Sequence, residues 1–144
     1  MRKVKIGDKL VGQGENVFVV AEAGSNHDGK LEQAKKLIRV AAEAGADAIK
    51  FQTFRAEKLY VKKAGNADYL KTHKSIFEII KNLEMPYEWI PELNEYCRKA
   101  CIIFLSTPFD EESVDKLEKA EVPAYKISSY NVTHLPFLKY VARK

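Results

Sequence analysis

Residues 17–54, VFVVAEAGSNHDGKLEQAKKLIRVAAEAGADAIKFQTF, read as strand, helix and strand. Val17-Phe18-Val19-Val20-Ala21 is a β-branched run of the kind that forms strands buried on both faces. After a polar turn, Leu31, Ala34, Leu37, Ile38, Ala41 and Ala42 recur at helical spacing, and Gly45 stands where a helix-ending glycine belongs. Ala48-Ile49-Lys50-Phe51-Gln52-Thr53-Phe54 is the second strand. The unit then repeats. Ile76, Phe77, Ile80 and Leu83 are spaced for a helix, Pro86 permits a new start, and Trp89, Ile90, Leu93 and Tyr96 carry a helix toward Ala100. Ile102-Ile103-Phe104-Leu105 predicts a third strand closed by Ser106-Thr107-Pro108, and Val114 and Leu117 mark a short helix. Ala124-Tyr125-Lys126-Ile127 predicts a fourth strand, and Pro136 suits the first turn of a last helix. Upstream, Val4-Lys5-Ile6 and Lys9-Leu10-Val11 flank Gly7-Asp8 as a short β-hairpin.

Four βα units after a hairpin predict an α/β fold with a parallel sheet and helices outside it. Two architectures fit: a small open doubly wound sheet, or the N-terminal half of a TIM (β/α)8 barrel, a fold of about 250 residues. The last helix, Pro136 to Lys144, begins well and stops in mid-pattern, which favours the barrel half.

Composition bounds the function classes. The 144 residues carry 24 Lys and Arg against 20 Asp and Glu, with 46% apolar and 31% charged side chains, the mix of a core-forming chain rather than a disordered one. No run reaches the roughly 18 consecutive apolar residues of a membrane span, and Met1-Arg2-Lys3-Val4-Lys5 leads into no secretory core segment. The expectation is a cytoplasmic enzyme or binding domain spanning residues 1–144. Cys97 and Cys101, four apart at a helix end, suit neither a disulfide nor a zinc site and predict two reduced, packed thiols. Between Arg55 and Lys74 six basic residues face two acidic ones. Only Tyr60 and Tyr69 could stack on bases there, so nucleic acid is not the expected partner, and a loop over an anionic substrate or a solvated loop fits instead.

In parallel α/β proteins chemistry sits at the carboxyl ends of the strands. Every predicted strand turns polar there. The first ends in Glu22 and runs into Gly24-Ser25-Asn26-His27-Asp28-Gly29. The second carries Lys50 and Gln52, two apart and so on one side, while Ile49, Phe51 and Thr53 face the helices. The third ends in Ser106-Thr107, and the fourth carries Lys126 and then Ser128-Ser129. A lysine within an apolar strand is costly to bury unless an anion meets it. Two lysines, a glutamate and several hydroxyls at one end describe a pocket for phosphate or carboxylate. The structural alternative is an ion network in which Lys50 and Lys126 pair with Glu22 and Asp47. His27 and His134, in strand-end loops, read as surface or capping residues before metal ligands, and Trp89 and Tyr96 as packing.

At these residues the chain resembles the sialic acid (N-acetylneuraminate) synthases, including legionaminate and pseudaminate synthases and spore-coat polysaccharide relatives. The matching segments are Ala21-Glu22-Ala23-Gly24-Ser25-Asn26-His27-Asp28-Gly29, Lys50-Phe51-Gln52-Thr53-Phe54, Leu105-Ser106-Thr107-Pro108-Phe109-Asp110 and Tyr125-Lys126-Ile127-Ser128-Ser129, in family order. The resemblance implies a TIM barrel with a C-terminal antifreeze-like domain and condensation of phosphoenolpyruvate with an N-acyl hexosamine such as N-acetylmannosamine, giving a nonulosonic acid and phosphate. It implies a divalent metal, Mn2+ or Mg2+, and a homodimer for the complete enzyme; from composition, neither a membrane nor a nucleic acid is an expected partner. By resemblance Lys50, Thr107, Lys126 and Ser129 hold phosphoenolpyruvate, Gln52, Asn66 and Asn131 contact the sugar, and Glu22 stands beside the reacting carbons.

Two departures from the family pattern stand out. Asn131 occupies a position where the family usually has Glu, keeping hydrogen bonding and losing charge. The metal-binding histidines and the C-terminal domain of the family lie beyond the fourth unit, and none of the three histidines here matches a family ligand, so no metal ligand is expected within the chain. The expectation is therefore part of a site and no turnover by the chain alone. The rivals are a non-catalytic anion-binding half barrel acting through self-association or a partner, and a Schiff-base aldolase using Lys50 or Lys126.

Overall fold

The computed structural model describes residues 2–63, 65 and 74–144. The chain opens with the predicted hairpin, β1 (Val4–Ile6) and β2 (Lys9–Val11), paired antiparallel with Ile6 opposite Lys9. Next come β3 (Val20–Gly24), α1 (Leu31–Glu43) and β4 (Ala48–Thr53). The helices α2 (Ala56–Leu59), α3 (Ile76–Asn82) and α4 (Trp89–Lys99) lead to β5 (Ile103–Pro108). The chain then runs through α5 (Glu111–Lys119), a 3-10 turn (Ser129–Asn131) and α6 (Leu135–Val141). The main sheet is parallel in the order β3-β4-β5, with the helices reached by crossovers, so the α/β class holds.

Alternation along β4 and β5 divides the sheet into two faces. Ile49, Phe51 and Phe104 turn toward Ala34, Ile38 and Ala41 of α1, Ile90, Leu93 and Cys97 of α4, and Leu117 of α5, forming one core. The Phe51 and Phe104 rings stack within it at 5.7 Å. α1 ends as the sequence predicts. Gly45 adopts φ +78, its N–H bonds the Ala42 carbonyl and the Ala46 N–H bonds the Ala41 carbonyl, the paired closure of a left-handed helix stop.

Three expectations change. The first strand starts at Val20 rather than Val17, and Val17 and Val19 are 83% and 50% exposed. β3 is the edge of the three-stranded sheet, so its entry residues have no neighbour on the outer side. The fourth strand is reduced to one parallel bridge between Tyr125 and Ser106, supported by Lys126 N–H to the Ser106 carbonyl at 3.2 Å. Of the two thiols only Cys97 is packed. Cys101 lies past the end of α4, exposed, at φ +56, and the two are not bridged.

The hairpin is tied to the amino end of the sheet by Asp47. Its carboxylate takes the Val19 N–H at 2.8 Å and pairs with Lys9 at 3.2 Å, and those donors hold its pKa below the ordinary carboxylate value. Asp47 is thereby engaged at the end opposite the polar strand tips, which removes it from the ion network that sequence spacing allowed.

Candidate functional site

The face of the sheet turned away from the core carries the polar residues in register. Glu22 on β3 stands opposite Lys50 on β4, and Lys50 opposite Leu105 on β5; one step on, Gln52 stands opposite Thr107. Lys50 is ion-paired with Glu22, its side chain only 11% exposed against 56% for the glutamate. Burying the ammonium stem is tolerated because the carboxylate meets it. Half of the predicted structural network thus exists, in the Glu22–Lys50 pair.

Past Glu22 the β3–β4 ladder slips by one residue, so that Gly24 pairs with Phe51. Gly24 sits at φ +56, a left-handed conformation that glycine adopts without strain. Beyond it, Ser25 Oγ donates to Gln52 Oε1 at 3.2 Å.

Thr107 is 2% exposed and its hydroxyl has no hydrogen-bond partner among the described residues. A buried hydroxyl without a partner is a site of unmet bonding capacity. Its neighbour Ser106 faces the other way, sharing a 2.7 Å hydrogen bond with Thr53 on the core side, so of the Ser106-Thr107 pair only the threonine belongs to this face. Lys126 follows the Tyr125 bridge to β5, exposed and without an ion pair among the described residues. Ser128 caps the 3-10 turn through the Tyr130 N–H, and Ser129 is exposed on that turn.

Asn131 is drawn elsewhere. It is 5% exposed, its Nδ2 donates to the Phe109 carbonyl at 3.2 Å, and its Oδ1 has no partner among the described residues. It lines a cleft of about 610 Å3 between α2, α5 and α6, with Phe109, Tyr130, His134 and the carboxylates of Glu111 and Glu112. Glu22, Lys50 and Gln52 are not among the residues lining that cleft. Asn66 and His73, with most of the second half of the basic loop, lie outside the described residues. Arg55, at its start, packs its guanidinium 3.5 Å from the centroid of the Tyr87 ring and donates to the Met85 carbonyl at 2.9 Å.

His27, predicted as a surface or capping residue, does cap a turn, since its Nδ1 accepts the Gly29 N–H at 3.1 Å, yet it is fully buried with its ring edge-on to Trp89. Burial lowers its pKa, with Asp28 opposing. His134 stays exposed at the start of α6, stacked on Phe137. Among the described residues no three His, Cys, Asp or Glu side chains come together in a way that could hold a metal ion. No helix among them is long and apolar enough to cross a membrane.

The chain is an α/β protein with a parallel sheet, and its charged, amide and hydroxyl groups stand in register at the carboxyl ends of the strands, the end at which α/β proteins of this kind bind ligands. Comparison with known proteins narrows the class: the chain belongs to the NeuB family, whose model matches residues 37–144. The spore coat polysaccharide biosynthesis protein SpsE of Bacillus subtilis is 52% identical over 147 residues, covering 99% of this chain and 39% of that protein. The N,N'-diacetyllegionaminic acid synthase of Campylobacter jejuni is 44% identical over 133 residues, 90% of this chain and 40% of the relative. Among solved structures, the N-acetylneuraminic acid (sialic acid) synthetase of Leptospira borgpetersenii, in complex with citrate, superposes with a TM-score of 0.84 at 30% identity, over 99% of this chain and 46% of that one. The chain thus spans about two fifths of the length of the curated relatives it matches.

Proposed function

We propose that residues 1–144 are the N-terminal half of a (β/α)8 barrel and carry part of the site of a nonulosonic acid synthase. The reaction joins C3 of phosphoenolpyruvate to the aldehyde carbon of an N-acyl hexosamine, then adds water at C2 and releases phosphate. Names of the relatives support the class, since a legionaminic acid synthase and a sialic acid synthetase both make sugar acids of this kind. The observation that carries the reading is the pair of in-register rows, Glu22 with Lys50 and Gln52 with Thr107, on one sheet face.

Each residue then has a task set by its chemistry. Lys50 and Lys126 supply positive charge for the phosphate and carboxylate of phosphoenolpyruvate, and the Thr107 and Ser129 hydroxyls add directed donors. Glu22, already against Lys50, stands where positive charge develops at C2 once C3 has attacked, and stabilises it or moves a proton. Gln52 offers its amide to the sugar, with Asn66 and Asn131 assigned the same task by resemblance alone. A Mn2+ or Mg2+ ion belongs to the reading of the complete enzyme, where it would polarise the sugar aldehyde. The described residues do not fit it, lacking a convergent ligand set, so no step on this chain is routed through it.

A second reading rests on Asn131. Its amide is committed to the Phe109 carbonyl and brings no carboxylate to the site, which suits a half barrel that binds an anion without catalysis and acts through a second copy or a partner. Incubating the chain with phosphoenolpyruvate, N-acetylmannosamine and manganese, and following phosphate release, tests the assignment of a partial site. The expected result is phosphoenolpyruvate binding without turnover. Sustained phosphate release would show that the chain holds a whole site.

A further inference from the structure

An unbroken ladder running two residues on from the Glu22–Lys50 pair would set Gly24 opposite Gln52. The observed slip sets Gly24 opposite Phe51 instead, and the extra residue advances Ser25 to the level of Gln52. Bulges re-aim side chains in this way, and here the one re-aimed is a hydroxyl in place of a glycine's hydrogen. The contact that results is Ser25 Oγ–H to Gln52 Oε1 at 3.2 Å.

The terminal torsion of a glutamine side chain is broad and roughly two-fold, so a free carboxamide presents either its oxygen or its NH2. The Ser25 hydroxyl, which donates to Oε1 here, ties one edge of the carboxamide to the β3–α1 turn and leaves the other edge for a ligand. In the arrangement seen, that other edge is the NH2. Thr107, opposite Gln52 across the sheet, adds a buried hydroxyl with no partner among the described residues. Both groups at this level can donate, so an acceptor oxygen of a ligand suits them.

We propose that Ser25 is a positioning residue that holds the Gln52 carboxamide in place against the β3–α1 turn, so that its free edge, the NH2 in the arrangement seen, meets an oxygen of the amino sugar. The sugar half of the statement rests on the proposed function; the locking of Gln52 does not.

The test uses the whole chain with Ser25→Ala and Ser25→Thr. In the wild type, 15N relaxation of the Gln52 side-chain amide should show a group as ordered as the neighbouring backbone. It should become mobile in S25A and recover in S25T, which restores the hydroxyl. Titration with N-acetylmannosamine should show S25A binding about fivefold more weakly, the effect of one lost hydrogen bond, with phosphoenolpyruvate affinity changed by less than about twofold and S25T near wild type. Unchanged Gln52 order in S25A overturns the proposal. So does an equal loss of both ligands accompanied by a lower Tm, which is what general damage to the turn would give. A wild type that binds phosphoenolpyruvate but no N-acetylmannosamine removes the sugar role, and the amide relaxation then decides the locking on its own.

Discussion

Glu22 and Lys50 stand directly opposite each other across β3 and β4, and their side chains are ion-paired with the lysine sheltered and the glutamate half in solvent. An anion arriving at Lys50 meets the Glu22 carboxylate as a like charge. Glu22→Gln should therefore tighten phosphoenolpyruvate binding about threefold to fivefold, the value of one partly screened charge interaction. Calorimetric titration of both proteins checks this, and weaker binding by the Gln variant would mean that Glu22 orients Lys50 more than it opposes the ligand.

His27 should give the fold a pH dependence above the carboxylate range. Burial lowers its pKa from the ordinary 6.5, so the folded state binds the proton less readily than the unfolded one. Its contribution is fully present above about pH 6.5 and is lost as the pH falls below that value, at up to about 1.4 kcal/mol per unit until the folded pKa is reached. Urea unfolding at pH 7.5, 6 and 5 reads the slope. His27→Asn, which can still accept the Gly29 N–H, should be less stable overall and show a shallower slope over that interval.

Asn131 should resist replacement by its own acid. Asn131→Asp would turn a carboxylate toward the Phe109 carbonyl in a site that is 5% exposed, exchanging a donor for a repelling oxygen. The expected loss is about 2 kcal/mol at pH 7, partly regained near pH 4 where the acid is protonated and can donate. Equal stability of the two proteins at pH 7 would contradict the hydrogen bond to Phe109.

Two helix ends are open to improvement. α4 and α5 stop as α1 does, with Ile102 N–H on the Cys97 carbonyl and Val122 N–H on the Leu117 carbonyl, but Cys101 and Glu121 hold φ +56 where α1 has Gly45. Left-handed backbone costs an L residue about 1 kcal/mol relative to glycine. Cys101→Gly and Glu121→Gly should each raise Tm by about 2–4 °C, and Gly45→Ala should lower it by a similar amount. Thermal unfolding by circular dichroism would show it.

What could be read in the sequence followed from periodicity, and what could not followed from pairing. The two-residue period put Lys50 and Gln52 on one face and Ile49, Phe51 and Thr53 on the other, and Gly45 marked the end of α1 without any knowledge of its neighbours. The same period, carried through Phe104 and Leu105, separates Ser106 from Thr107, so that distinction was available in the residues. The slip at Ala23 was not, because a bulge is a property of two strands in register rather than of one string, and Ser25 stayed hidden with it. Ala124–Ile127 has the composition of a strand yet makes one bridge, since strand formation depends on the partner as much as on propensity. Asp47 found Lys9 in the hairpin, and His27 found Trp89 beneath the β3–α1 turn, both across distances that sequence spacing does not encode.

The central claim is that the polar strand ends of β3, β4 and β5, with Lys126 beside them, form a phosphoenolpyruvate site. The most direct measurement is isothermal titration of phosphoenolpyruvate into the wild-type chain, Lys50→Ala and Lys126→Ala, with Tm recorded for each. The account predicts a saturable wild-type interaction that weakens at least about tenfold in either variant, the value of a charge-assisted contact, while Tm shifts by only a few degrees. A wild type that does not bind, or variants that bind as well as it does, would contradict it.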